Sequence, residues 1–193
     1  MAGEKLLTKE SCLSEAEGGY FAGRVVLLDA LVLPENHRSP VHQMYFCIGG
    51  PGSLPIGIGG SLRAVSLFDG SLASWDREHI LGIAKPEILT DHALLQLSQI
   101  RPLDSEISAV PEFFGYCFLS DGQRTAGVPL LDEMEVRAYI DIQRACQHRV
   151  VICDQADCWV REFAEGKSVS SPREGMDTWQ REQEASGDME LKL

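Results

Sequence analysis

Cys146, Cys153 and Cys158 lie close together with His148, and Asp154 and Asp157 stand between the last two cysteines. Thiolates and an imidazole at short range are what a zinc site uses, but such a site takes ligands as a tight Cys-x2-4-Cys pair with a second pair to close the tetrahedron. The spacing here is Cys-x6-Cys-x4-Cys, and His148 has no second histidine at finger spacing. Cys153 ends an apolar run and Cys146 falls on a helical stretch, where free cysteine packs as a small apolar residue. No metal site and no cofactor is expected, although only coordinates show whether these four residues converge. The five histidines, His37, His42, His79, His92 and His148, are scattered, and no Gly-x-Ser-x-Gly elbow occurs. The chain is therefore expected not to be an enzyme, with a Cys/His-dependent hydrolase or transferase as an alternative.

A second candidate for chemistry is Tyr45–Val65, YFCIGGPGSLPIGIGGSLRAV. A phosphate loop needs glycine amides aimed at oxygens, a lysine with Ser or Thr, and a helix N-terminus. This loop has no lysine, its Gly57-Ile58-Gly59-Gly60-Ser61-Leu62 run breaks the dinucleotide pattern, and Pro51 and Pro55 each lack an amide donor. The residues after it read as a strand. Gly49, Gly50 and Gly52 are assigned to a wide structural turn, where positive φ or close backbone approach is required.

The elements that would carry these residues are legible in outline. Residues 21–33 read as a buried strand or strand pair closed by Pro34, and 42–50 as the next strand. Two β-prone runs flank Asp69-Gly70, which predicts a two-residue hairpin turn. Asp76 is expected to cap a short helix over 77–84, and Thr90 or Asp91 to start a second one. A further unit begins near Val110: an aromatic strand at 113–119, a turn at Asp121-Gly122, and an interruption at Pro129. Asp132 with Glu135 fits a capping box opening a helix whose inner stripe is Val136, Tyr139, Ile140 and Gln143. RVVICD is a strand, and a strand pair surrounds Glu165-Gly166. The reading is an α+β protein of two small antiparallel β units, each packed by one or two helices: residues 1–105, residues 106–169, and a mobile tail at 170–193.

The formal charge of −12 over 193 residues argues against nucleic acid and anionic membrane as direct partners. Residues 1–19 lack the apolar core of a secretory signal, no run is long enough to span a membrane, and six cysteines without such a signal read as reduced thiols of a cytoplasmic protein.

Residues 47–82 resemble uncharacterised small proteins of phages and conjugative elements of gut Firmicutes. The resemblance rests on Cys47, Gly49, Gly50, Gly52, Pro55, Gly60, Asp69, Gly70, Trp75, Arg77 and Gly82, with Ser74 and Asp76 in place of a more basic pair around the tryptophan. It implies no established catalysis. It suggests a non-catalytic, acidic, protein-binding module of a mobile element: an inhibitor of a nucleic-acid-handling host defence nuclease of the CRISPR-Cas or restriction type. An accessory interaction domain for another mobile-element protein is the alternative. Carboxylates then compete with phosphates for a basic partner, and the expected contact residues are Glu133, Glu135, Asp141, Asp154, Asp157 and Trp179.

Overall fold

The computed structural model describes residues 5–14, 19–55, 60–101 and 110–169. Trp179, the segment 170–193, and Gly57 and Gly59 of the glycine loop lie outside the described residues. The chain divides into two compact units, Met1–Ile100 and Arg101–Leu193. Each is built on its own five-stranded antiparallel sheet, so the architecture is α+β.

The first unit contains β1 (Val25–Leu28), β2 (Met44–Gly49), β3 (Ser61–Ser66), β4 (Leu72–Asp76) and β5 (Ile80–Ile83), in the order β4-β3-β2-β1-β5. All four residues of β1 are apolar and buried, so both faces of this strand are covered. Val26, Leu28, Tyr45, Cys47, Leu62, Ala64 and Ile83 form the core, joined by Phe21 and Leu33 from flanking segments. A short helix, α1 (Asp91–Ser98), starts where Thr90 Oγ1 accepts from Ala93 N.

Three local expectations give way here. The apolar run after Arg24 is not one long strand, because Asp29 Oδ1 accepts from Leu31 N at 2.9 Å and turns Ala30–Val32 into a 3-10 turn. Residues 77–84 form no α-helix: Arg77–His79 is a 3-10 turn, and β5 follows with Ile83 opposite Val26. Two isoleucines favour extended backbone, and Gly82 has φ +153° with the Cys12 side chain against it. The β3–β4 connection is also wider than Asp69-Gly70. Ser66 N donates to Ser71 O at 2.8 Å, leaving Leu67–Gly70 as the loop. Leu67 is drawn into the interior and its N donates to Met44 O, which pulls the turn open.

The glycine loop turns a corner against β3. A Cβ at Gly52 would stand 2.3 Å from the Gly60 carbonyl oxygen, and one at Gly50 would stand 2.9 Å from that of Ser61. Arg77 fastens the loop by donating Nη1 to Gly52 O at 2.7 Å, with its guanidinium 4.2 Å over the Phe21 ring. Both sides of the Gly52 contact are backbone, so Gly52→Ala is expected to cost about 2–3 kcal/mol and lower the melting midpoint by several degrees. An unchanged midpoint would contradict the close approach.

The second unit contains β6 (Phe113–Phe118), β7 (Val128–Leu130), α2 (Glu133–Gln143), β8 (Arg149–Asp154), β9 (Trp159–Ala164) and β10 (Lys167–Val169). The strand order is β10-β9-β8-β6-β7. Asp132 Oδ1 caps α2 by accepting from Met134 N and Glu135 N. Val136, Tyr139, Ile140 and Gln143 are buried, as the helical spacing predicts. The helix lies on β6, β7 and β8. Gly115 permits this, because a Cβ there would come within 2.5 Å of the Tyr139 ring.

Pro129 does not interrupt the sheet but pairs with Phe114 inside β7, an edge strand. With Phe113 opposite Leu130 and Gly115 opposite Val128, the proline nitrogen, which cannot donate, points away from β6. Gly122 at φ +82° and the Asp121 carboxylate, accepting from Gln123 N, shape the return from β6. The β9–β10 hairpin turns on Glu165 and Gly166, both at positive φ.

Candidate functional site

The sheet of the second unit has two unlike faces because β6 alternates. Phe113, Gly115 and Cys117 point under α2, which leaves Phe114, Tyr116 and Phe118 on the opposite side. Neighbouring strands bring further groups to that side. Phe114 stands opposite Cys153, which in turn pairs with Trp159, and Phe118 stands opposite Arg149. Val151 and Cys153 form a buried floor, the three β6 rings are half-buried, and Trp159 is 40% exposed.

Two guanidiniums are laid over these rings. Arg149 sits 4.6 Å from the Phe118 centroid and 4.8 Å from that of Trp159, so it contacts two rings at once. Its Nε donates to Glu162 Oε1 at 2.7 Å. Arg124, on the return from β6, lies 4.7 Å over the Tyr116 ring. Ring quadrupoles attract cations, and the stacking fixes where the guanidinium N–H groups point. Gly127 leaves room for the Tyr116 ring, since a Cβ there would approach it to 2.7 Å. Burial raises the Tyr116 phenol above its usual range, the Asp157 charge adds to this, and Arg124 opposes it. The Cys153 thiol is pushed up to about 11, first by burial and then by Asp157.

The acidic residues singled out by sequence are placed as follows. Glu133 pairs with Arg161 at 2.8 Å, and Asp141 with Arg144 at 3.1 Å. Asp154 Oδ1 accepts from Ala156 N and Cys158 N and shapes the β8–β9 turn. Glu135 is withdrawn from the surface: it is 2% exposed, accepts from Leu131 N at 2.8 Å, and pairs with Arg101 at 3.2 Å. That Leu131 contact takes the place of the capping-box bond back to Asp132. Asp157 borders the aromatic face, through Tyr116 and Cys153. These carboxylates are distributed over α2 and one turn, most with a local partner, and the structure does not gather them into one field. The aromatic face itself was signalled by the alternation Phe114, Tyr116, Phe118, but its arginines and Trp159 come from three other segments.

The cysteine and histidine chemistry resolves in the same way. His148 Nδ1 meets Glu165 at 2.7 Å, Cys153 is buried, and Cys158 is exposed. Among the described residues no three His, Cys, Asp or Glu side chains group to hold a metal ion. In the first unit His37 stacks on His42 at 5.1 Å, and His42 lies 4.1 Å from Phe68, whose carbonyl meets His92 Nε2 at 2.7 Å. The Cys117 thiol, beside Tyr139 Oη at 3.3 Å, is pushed by burial up to about 12, and burial also raises Cys12 and Cys47. Native labelling with iodoacetamide near pH 8 is accordingly expected to modify Cys158 rapidly and to spare Cys12, Cys47, Cys117 and Cys153, read by peptide mass mapping. Rapid labelling of Cys117 would contradict its burial.

No helix among the described residues is long and apolar enough to cross a membrane. Compared with known proteins, the chain matches no family model, no curated protein and no solved structure.

Proposed function

We propose that the chain is a non-catalytic protein-binding module whose contact surface is the ring-and-guanidinium face of the second sheet. The observation that carries this reading is Arg149 held between Phe118 and Trp159 beside a half-buried Tyr116 under Arg124. Tryptophan, tyrosine and arginine dominate binding energy at protein interfaces, because they bring large area and fixed donors at low entropic cost. The net charge of −12 favours a protein over a nucleic acid as the partner.

A finer reading is that of a mobile-element inhibitor acting on a basic nuclease of host defence. It draws on that charge and on the resemblance of residues 47–82. Negative charge spread over the chain speeds approach to a basic partner, while the aromatic face supplies the contact. Affinity capture with mass spectrometry at two ionic strengths tests both levels. Trp159→Ser is expected to lose the captured partner, and Arg137→Ala, on the exposed side of α2, to keep it. Capture unchanged by Trp159→Ser overturns the face, whereas capture insensitive to salt removes the charge argument.

A further inference from the structure

The two rims of the first sheet differ in how they end. The outer side of β5 is closed from upstream: Leu13 N donates to Ile83 O at 2.8 Å, Lys85 N donates to Ser11 O at 3.1 Å, and Cys12 bridges Ala84. At the opposite rim β4 pairs with β3 alone among the described residues. Its register runs from Ser61 opposite Asp76 to Val65 opposite Leu72 without a bulge, and its sequence, Leu-Ala-Ser-Trp-Asp, holds no proline and no lysine. Bulges, prolines and lysines are the devices that ordinarily stop a rim from taking another strand. A straight rim without them is fitted for pairing.

The β3–β4 ladder settles which groups this rim offers. Ser66 N donates to Ser71 O at 2.8 Å and Arg77 N to Gly60 O at 3.0 Å, so Ala73 and Trp75, in step with these, turn N–H and C=O toward β3. Leu72 and Ser74 then turn both groups outward, and Asp76 its N–H. The side chains of these three residues lie on the side of the sheet that carries Ser61, Arg63 and Val65. All three are exposed, Leu72 at 74%. Neither the Arg63 guanidinium nor the Asp76 carboxylate has a partner among the described residues.

We propose that β4 pairs antiparallel with β4 of a second copy of this chain, about a two-fold axis at Ser74, joining two five-stranded sheets into one. In that register Ser74 exchanges both bonds with the other copy's Ser74, and each Asp76 N–H meets the other copy's Leu72 C=O. The sequence of β4 is complementary to itself about this axis. Ala73 faces the other copy's Trp75, a small residue against a large ring. Each Asp76 comes beside the other copy's Leu72, in the strand next to an Arg63 that lacks an acceptor. Arg63 and Asp76 carry no net charge together, so this rim joins two copies without concentrating the −12 of the whole chain. One short ladder is a small interface, and association is expected at roughly tens of micromolar.

Sedimentation velocity of the full chain in physiological salt, from about 5 to 300 μM, tests the pairing. The mass is expected to rise from one chain toward two. Ser74→Pro is expected to hold it at one, because the Ser74 amide points away from β3 as the Pro129 nitrogen does from β6. Circular dichroism checks that this variant keeps its sheet. Position 72 reads the register. Leu72→Lys, set opposite the other copy's Asp76, is expected to tighten association about fivefold, and Leu72→Glu to weaken it about as much.

A chain that stays single to about 300 μM overturns the pairing and leaves the rim to a strand of an unlike protein. Ser74→Pro pairing like the parent would place the contact elsewhere and overturn it too. Weakening by both Leu72 substitutions would show an apolar contact of Leu72 in place of the ladder, with the same consequence.

Discussion

Glu135→Ala is expected to destabilise the second unit by about 3–5 kcal/mol, the usual cost of removing one member of a buried ion pair. The Glu135 side chain is 3% exposed and that of Arg101 is 18% exposed, so water does little to rescue the cation left behind. Both Glu135 oxygens take part: each lies 3.2 Å from Arg101 Nη2, and Oε2 also accepts from Leu131 N at 2.8 Å. Truncation removes an ion pair and an amide cap in one step. Hydrogen exchange of the β6 and β8 amides during urea titration reports the loss where it occurs. Pairing Glu135→Leu with Arg101→Met should recover part of it, since no charge is then left unpaired while the Leu131 amide still lacks its acceptor. A Glu135→Ala chain within about 1 kcal/mol of the parent would show that the pair is not a buried one.

Gln43→Leu is expected to have the largest effect in the first unit, about 3 kcal/mol, because its amide is fully buried and fully used. Nε2 donates to Leu28 O at 2.9 Å and to Leu7 O at 3.0 Å, while Oε1 accepts from Leu7 N at 2.9 Å. One side chain therefore ties residues 5–14 to β1 in the way a strand pair would. Leucine fills the volume but leaves these backbone groups without partners. The local signature is faster exchange of the Leu7 amide at low denaturant, before the sheet itself opens. Protection of Leu7 unchanged in the variant would mean that the segment is held by other contacts.

Much of this architecture is legible in sequence wherever one signal acts over a short range. Asp132 as a cap, the buried stripe of α2, the strand at 149–154 and the Glu165-Gly166 turn all depend on neighbours within a few residues. Long-range partners decide the rest. Ile80–Ile83 becomes a strand because β1 offers an edge, and Gly82 is packed by Cys12 from far upstream. Glu135 has the residue type and position of a capping box, but Arg101 and Leu131 claim it. The candidate face shows the same division. Its aromatic alternation is visible in β6, whereas the meeting of Arg124, Arg149 and Trp159 over those rings depends on strand order, which no local pattern encodes.

Pro129 has a consequence for how copies of the chain behave when concentrated. Continuous cross-strand filaments need a sheet that can be extended at both rims. The outer rim of β7 lacks an amide donor at Pro129, so an incoming strand loses a bond where that short rim would have to seed growth. Within this sheet, among the described residues, β10 at the far side is the rim left to accept a neighbour, and addition at that rim alone ends at a pair of sheets. The proline thus acts as a stop against strand addition at this rim of the second sheet, built into the strand it was expected to break.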